Sequence, residues 1–146
     1  MPKRLLAGVA ALVVAGAVAV PALAASPNAA QPVPFRRNAF GSCITGALGG
    51  SPSTSFAVIK QNPNGTISAV LNLTGALPSA TYTVEIAQTP SGAGCNVPIG
   101  TLQTDGLGDG DGRFTVSTVP GATDANVFIF SGDDSFQSLD YVFGSR

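Results

Sequence analysis

The residues best spaced for chemistry are the aspartates of Asp105-Gly106-Leu107-Gly108-Asp109-Gly110-Asp111-Gly112. Hard cations such as calcium take several oxygen ligands, and carboxylates separated by flexible glycines can wrap one. Asp105, Asp109 and Asp111 are therefore the candidate metal ligands, with calcium as the only cofactor to consider. The helix-flanked calcium loop asks for more: counted from Asp105 its third position is Leu107, and counted from Asp109 its fifth is Arg113 and its last is Pro120 rather than Glu. Asp and Gly are also ordinary turn-formers. The expected role of the run is a hairpin connection between Thr101-Leu102-Gln103-Thr104 and Phe114-Thr115-Val116. Asp133-Asp134, after Ser131-Gly132, is expected to be a solvated turn.

Catalytic chemistry is poorly provided for. The chain has no histidine, which excludes Ser-His-Asp and Cys-His nucleophilic arrangements and any His-ligated zinc centre. A glycosidase needs two opposed carboxylates, and Glu85 lies within an alternating run while the aspartates lie in turn-like sequence. No phosphate-binding or dinucleotide fingerprint leads from a strand into a helix. The two cysteines, Cys43 and Cys95, lack the C-x-x-C spacing of a redox pair, and without histidine neither has a base to activate it. They are expected to form one disulfide, closing a loop of roughly 50 residues that the chain-entropy model values at about 4 kcal/mol.

That pairing presumes an oxidising compartment, and the start of the chain supplies the argument for one. Lys3 and Arg4 precede an apolar stretch from Leu5 to Val20, followed by Pro21 and the small-x-small sequence Ala22-Leu23-Ala24. Those are the parts of a cleaved secretory signal. The stretch is shorter than the roughly 20 apolar residues of a spanning helix. Residues 1–24 are thus read as a signal peptide and the protein as secreted, with no membrane insertion after cleavage. The remaining chain carries Arg36, Arg37, Lys60, Arg113 and Arg146 against Glu85 and the aspartates, a mildly acidic balance without the basic footprint that nucleic acid requires.

The elements that position these residues follow from hydrophobic period. Residues 25–38, with three prolines between Ser26 and Phe35, are expected to be a flexible lead-in, and residues 39–146 one domain. Short alternating runs separated by Gly, Pro, Asn and Ser clusters predict strands at Gly41–Leu48, Ser55–Lys60, Thr66–Leu73, Thr81–Thr89, Gly100–Thr104, Arg113–Val119, Asn126–Ser131 and Leu139–Phe143. In Thr66–Leu73, Ile67, Ala69, Leu71 and Leu73 share one face and Ser68 and Asn72 the other. Gln61-Asn62-Pro63-Asn64-Gly65 is the strongest hairpin turn. Val127-Phe128-Ile129-Phe130 is apolar on both faces and reads as a covered strand, with Phe114, Phe128, Phe130 and Phe143 expected in the core. The fold class is all-β: an immunoglobulin-like, Greek-key antiparallel β-sandwich of about seven to eight short strands.

Within this pattern, the segment from Leu73-Thr74-Gly75-Ala76-Leu77-Pro78-Ser79 through Ala80-Thr81-Tyr82-Thr83-Val84-Glu85-Ile86 resembles the corner of fibronectin type III domains. There a Leu, a Pro and a Tyr precede an alternating strand, and the tyrosine hydroxyl bonds back to upstream backbone. The resemblance implies that Tyr82 is the corner residue and Pro78 the turn-former. The chain after the signal is also similar to small secreted actinobacterial β-sandwich proteins of uncharacterised role, through Thr-Gly-x-Leu-Pro, a cysteine-bearing Gly loop, Gly-Thr-Leu-x-Thr-Asp and a Gly-rich turn. That likeness implies no activity. The functional expectation is a non-enzymatic binding or structural module of the cell envelope or extracellular space, with an unknown extracellular or cell-surface ligand. The alternatives are a small-ligand carrier with a pocket in the sandwich and a domain stabilised by calcium at Asp105–Gly112.

Overall fold

Alternation of apolar and polar side chains decides the secondary structure. The computed structural model describes residues 29–37, 50–89, 94 and 97–144. Among them there is no helix, and the strands are β1 (Gln31–Arg37), β2 (Ser51–Asn62), β3 (Thr66–Leu73), β4 (Thr81–Thr89), β5 (Gly100–Gln103), β6 (Gly110–Ser117), β7 (Asp124–Ser131), β8 (Asp134–Ser138) and β9 (Tyr141–Val142). In β3 the expected face of Ile67, Ala69, Leu71 and Leu73 is fully buried, and Ser68 and Asn72 lie on the other side. β2 and β3 meet through the expected turn, where Gly65 N–H donates to Asn62 O at 3.2 Å. Gly65 adopts φ +77° there, a conformation glycine takes without steric cost. The predicted strand at Gly41–Leu48 lies outside the described residues.

The strands pair antiparallel in the order β5-β4-β7-β8-β1-β2-β3-β6, with β9 added to β7. The sheet curls until its end strands β5 and β6 lie side by side. Gly110 makes that closure possible, because a Cβ there would meet Gln103 O at 2.5 Å and Leu102 Cδ2 at 2.8 Å. β4 lies between β5 and β7, whereas β6 pairs with β3 at the other end of the strand order. The result is an all-β antiparallel fold with one continuous interior.

That interior is built from Phe35, Ile59, Ile67, Leu71, Leu73, Tyr82, Ile86, Leu102, Ile129, Phe136 and Tyr141, all essentially inaccessible to water. Its aromatic centre is the edge-to-face contact of Phe136 with Phe35, at 6.4 Å between centroids, and with Tyr82, at 6.1 Å. Such pairs add about 0.5–1.5 kcal/mol beyond their buried area.

Two of these aromatic residues come from segments that the residue pattern did not mark as strands. Residues 31–37, expected within a flexible lead-in, form β1 and pair with both β2 and β8. The domain therefore begins before residue 39. Pro34 tolerates this position because its carbonyl faces away from β2 and accepts from Leu139 N at 3.1 Å. Its missing N–H also faces away, so the β1–β2 ladder loses nothing. Asp134, expected in a solvated turn, instead opens β8. Two further expectations shift in detail. Phe128 and Phe130 stack on each other, centroids 5.3 Å apart, on the outer face of β7 rather than in the core, and the last strand is only Tyr141–Val142, with Leu139 exposed.

Candidate functional site

The register places the two ends of β1 at opposite mouths of the curled sheet: Arg37 is opposite Ser51, and Gln31 is opposite Ile59. Each mouth holds a polar group of side chains on the inner side of the strands. At the first, Arg37 Nε donates to Asp134 Oδ1 at 2.8 Å and Arg37 Nη1 to Gly75 O at 2.7 Å. The guanidinium lies 5.4 Å from the centroid of the Phe136 ring. Asp134 Oδ2 accepts from the Tyr82 hydroxyl, and that hydroxyl accepts from Leu77 N–H at 3.0 Å. Burial, and then the hydrogen bond to Asp134, push the Tyr82 hydroxyl from its ordinary 10.0 up to about 12. A phenol held protonated this firmly is no base at neutral pH. The three side chains tie β1, β4 and β8 to the 74–80 corner.

Pro78 sits exposed in that corner, beside Ser79, whose φ of 51° is the one positive value at a described non-glycine residue. The corner is cross-braced to the Asp/Gly run. Ala76 N donates to Gly108 O at 3.0 Å, Ser79 N to Asp105 O at 2.7 Å and Thr104 Oγ1 to Leu77 O at 2.6 Å. Gly108 has φ +83°, and a Cβ there would come within 2.2 Å of Ala76 O.

The three candidate metal ligands have separate duties. Asp105 Oδ1 accepts from Leu107 N at 2.8 Å and Asp109 N at 3.0 Å. Backbone hydrogen bonds from Asp109 and then Leu107 hold its carboxyl below the usual aspartate range. Asp109 Oδ1 accepts from Gly75 N at 3.3 Å. Asp111 is exposed on β6, opposite Asn72. Among the described residues no three His, Cys, Asp or Glu side chains are gathered as a metal cage. Asp105 acts as the turn-former of its loop. Cys43 and Cys95 lie outside the described residues.

The second mouth carries a feature that sequence reasoning missed. A cleft of about 290 Å³ is lined by Gln61, Gly65, Thr118, Val119, Pro120, Gly121 and Ala122. It lies between the β2–β3 turn and the β6–β7 connection, so it is a cleft at the mouth rather than a pocket between sheet layers. Its walls are firmly held. Thr118 N donates to Gly65 O at 2.8 Å, and Ala122 N to Val119 O at 3.0 Å. Gln88, buried inside β4, donates from Nε2 to Ser117 O at 2.8 Å and accepts from Val119 N at 2.8 Å. Gln61 N donates to the Tyr141 hydroxyl at 3.3 Å, which donates to Ala29 O at 3.3 Å. The sequence signal was faint: one Gln in phase with the buried residues Ala57 and Ile59 of its strand. Comparison with family models, with curated proteins and with solved structures finds no match for this chain.

Proposed function

We propose that this chain is a secreted, non-enzymatic binding or structural module of the cell envelope or extracellular space. In this reading residues 1–24 are removed on export, and the domain works in an immunoglobulin-like way, presenting a sheet face and loops from a rigid antiparallel frame. The observation that carries the reading is the outer face of β1, β2 and β3. In register across it, Pro32 lies beside Val58 and Val58 beside Val70, while Pro34 lies beside Phe56. Phe56 is 39% and Val70 36% exposed. Lys60, Asn72, Asp111 and Arg113 rim the patch on the same face. An apolar face with a charged rim is what a binding surface needs, because water is released from the centre while the rim sets orientation.

The test is cosedimentation of the mature domain with purified bacterial cell-wall fractions. Wild type is expected in the pellet, and the double variant Phe56→Asp, Val70→Asp in the supernatant, with its melting temperature within a few degrees of wild type because both side chains face outward. A wild type that stays in the supernatant removes the envelope reading. An N-terminus other than Ala25 on the secreted protein removes the assigned signal boundary.

A further inference from the structure

The outward face of β1, β2 and β3 continues onto β6, and the register fixes where the charges around its apolar centre stand. Val70 is opposite Val58 on β2 and opposite Arg113 on β6. The next outward residue of β2 after Val58 is Lys60, opposite Ser68, and the outward residue of β6 before Arg113 is Asp111, opposite Asn72. β2 and β6 run in the same direction, since each is antiparallel to β3. Lys60 and Asp111 therefore lie one strand to either side of Val70 and one outward residue to either end of it. One positive and one negative charge stand on a diagonal of the face, with Val70 midway. Both side chains are exposed, and among the described residues neither is in an ion pair.

A diagonal of this kind is complementary to itself. A twofold axis lying in the plane of the face, through Val70 and across the diagonal, lays a second copy over the first so that Val70 meets Val70 and each Lys60 meets the other copy's Asp111. Such an isologous contact uses the same patch on both molecules. With strands about 4.8 Å apart and successive outward residues about 6.8 Å apart, the same operation carries the half-exposed Phe56 onto Pro32 and Arg113 towards Ser68. No like charges face each other. The strands of the two sheets then cross close to the perpendicular, one of the two preferred ways in which sheets pack. Opposite charges at the edge of an apolar contact set its orientation and disfavour other registers.

We propose that this face pairs with a second copy of the chain about a twofold axis through Val70, two Lys60–Asp111 contacts fixing the orientation. Such pairing rests on the reading of the face as a binding surface and names its partner. A contact four strands wide belongs to the class below about 1,200 Å² whose complexes are weak and transient, so in dilute protein the face is free for the envelope.

The experiment is sedimentation velocity of the mature, disulfide-intact protein at low salt, from about 10 µM to about 1 mM. Wild type is expected to pass from monomer towards dimer across that range, and less so at about 0.5 M salt, which screens exposed charges. Lys60→Asp and Asp111→Lys each set like charges at both contacts, and each should weaken association about tenfold or more. Mixed in equal amounts, the two variants again oppose unlike charges at both contacts, and the mixture should associate as wild type does. Both positions are exposed, so each variant should melt with wild type. The pairing is overturned if wild type stays monomeric throughout, if either variant alone associates like wild type, or if the mixture fails to recover. It is also overturned if Phe56→Asp, Val70→Asp still dimerises. Cosedimentation of dilute wild type with cell wall separates the two readings: pelleting without self-association removes the pairing and keeps the binding face, whereas self-association without pelleting keeps the pairing and removes the envelope as ligand.

Discussion

Tyr82 shows how one side chain can govern a corner. Its ring packs on Phe136, its oxygen accepts from Leu77 N–H, and its proton is held by Asp134. Tyr82→Phe keeps the ring and deletes the oxygen, leaving Leu77 N–H without its partner. The expected loss is about 1–3 kcal/mol, the usual range for a buried group left unpaired, read from a denaturant melt. The raised pKa gives this residue a second signature. Below pH 10, folded and unfolded chains both hold the phenolic proton and the contribution is complete. Between pH 10 and about 12 the unfolded chain ionises first, so stability drains away as pH rises. The wild type should therefore lose melting temperature faster across that window than Tyr82→Phe. Parallel curves for the two proteins would show that the hydroxyl is not held as described.

At the scale of elements, β1 and β6 are the informative strands. β1 supplies Val33 and Phe35 to the interior, and Phe35 is 1% exposed. Phe35→Ala is expected to cost about 3–5 kcal/mol, the range for a large aromatic removed from a core. If β1 were a loose lead-in, the same change would be neutral, so a calorimetric comparison separates the two. β6 closes the sheet against β5 only because Gly110 leaves room for Gln103 O. Gly110→Val puts a branched side chain where backbone already stands. It should cost about 2 kcal/mol or more through displacement of β5, with faster amide exchange in Gly100–Gln103 as the local readout.

For the whole molecule, the layout is a closed apolar interior with a polar group at each mouth. The first group, Arg37, Asp134 and Tyr82, is fully engaged in holding strands together. The second includes two oxygens without partners. The Asp105–Gly112 run belongs with the first, since Asp105 and Asp109 spend carboxylate oxygens on backbone N–H groups of the loop and corner. Melting curves with calcium and with chelator should therefore coincide. A rise with calcium would mean that the ion binds the folded form and that these carboxylates turn outward to hold it. Reduction is expected to lower the melting point through Cys43 and Cys95, and an unchanged melt would remove the bridge between them.

What could be read from the sequence was whatever rests on local period. β3 and β4 begin and end where their alternation does, and the Asn-Pro-Asn-Gly turn forms with Gly65 at the one position that needs positive φ. β1 and β8 were illegible for an equally physical reason. Gln31–Arg37 holds two prolines and only two inward apolar residues, and Asp134–Ser138 has a single one, Phe136. Each is a strand because neighbours on both sides satisfy its backbone, a condition that no local pattern records. Asp134 looked like a surface turn until Arg37, 97 residues away in sequence, was brought beside it. Gln61 and Thr118 come to line one cleft because β3 pairs with β2 on one side and with β6 on the other. Side-chain alternation thus fixed the class and most of the strands, while the pairing of distant strands decided which polar groups are brought together.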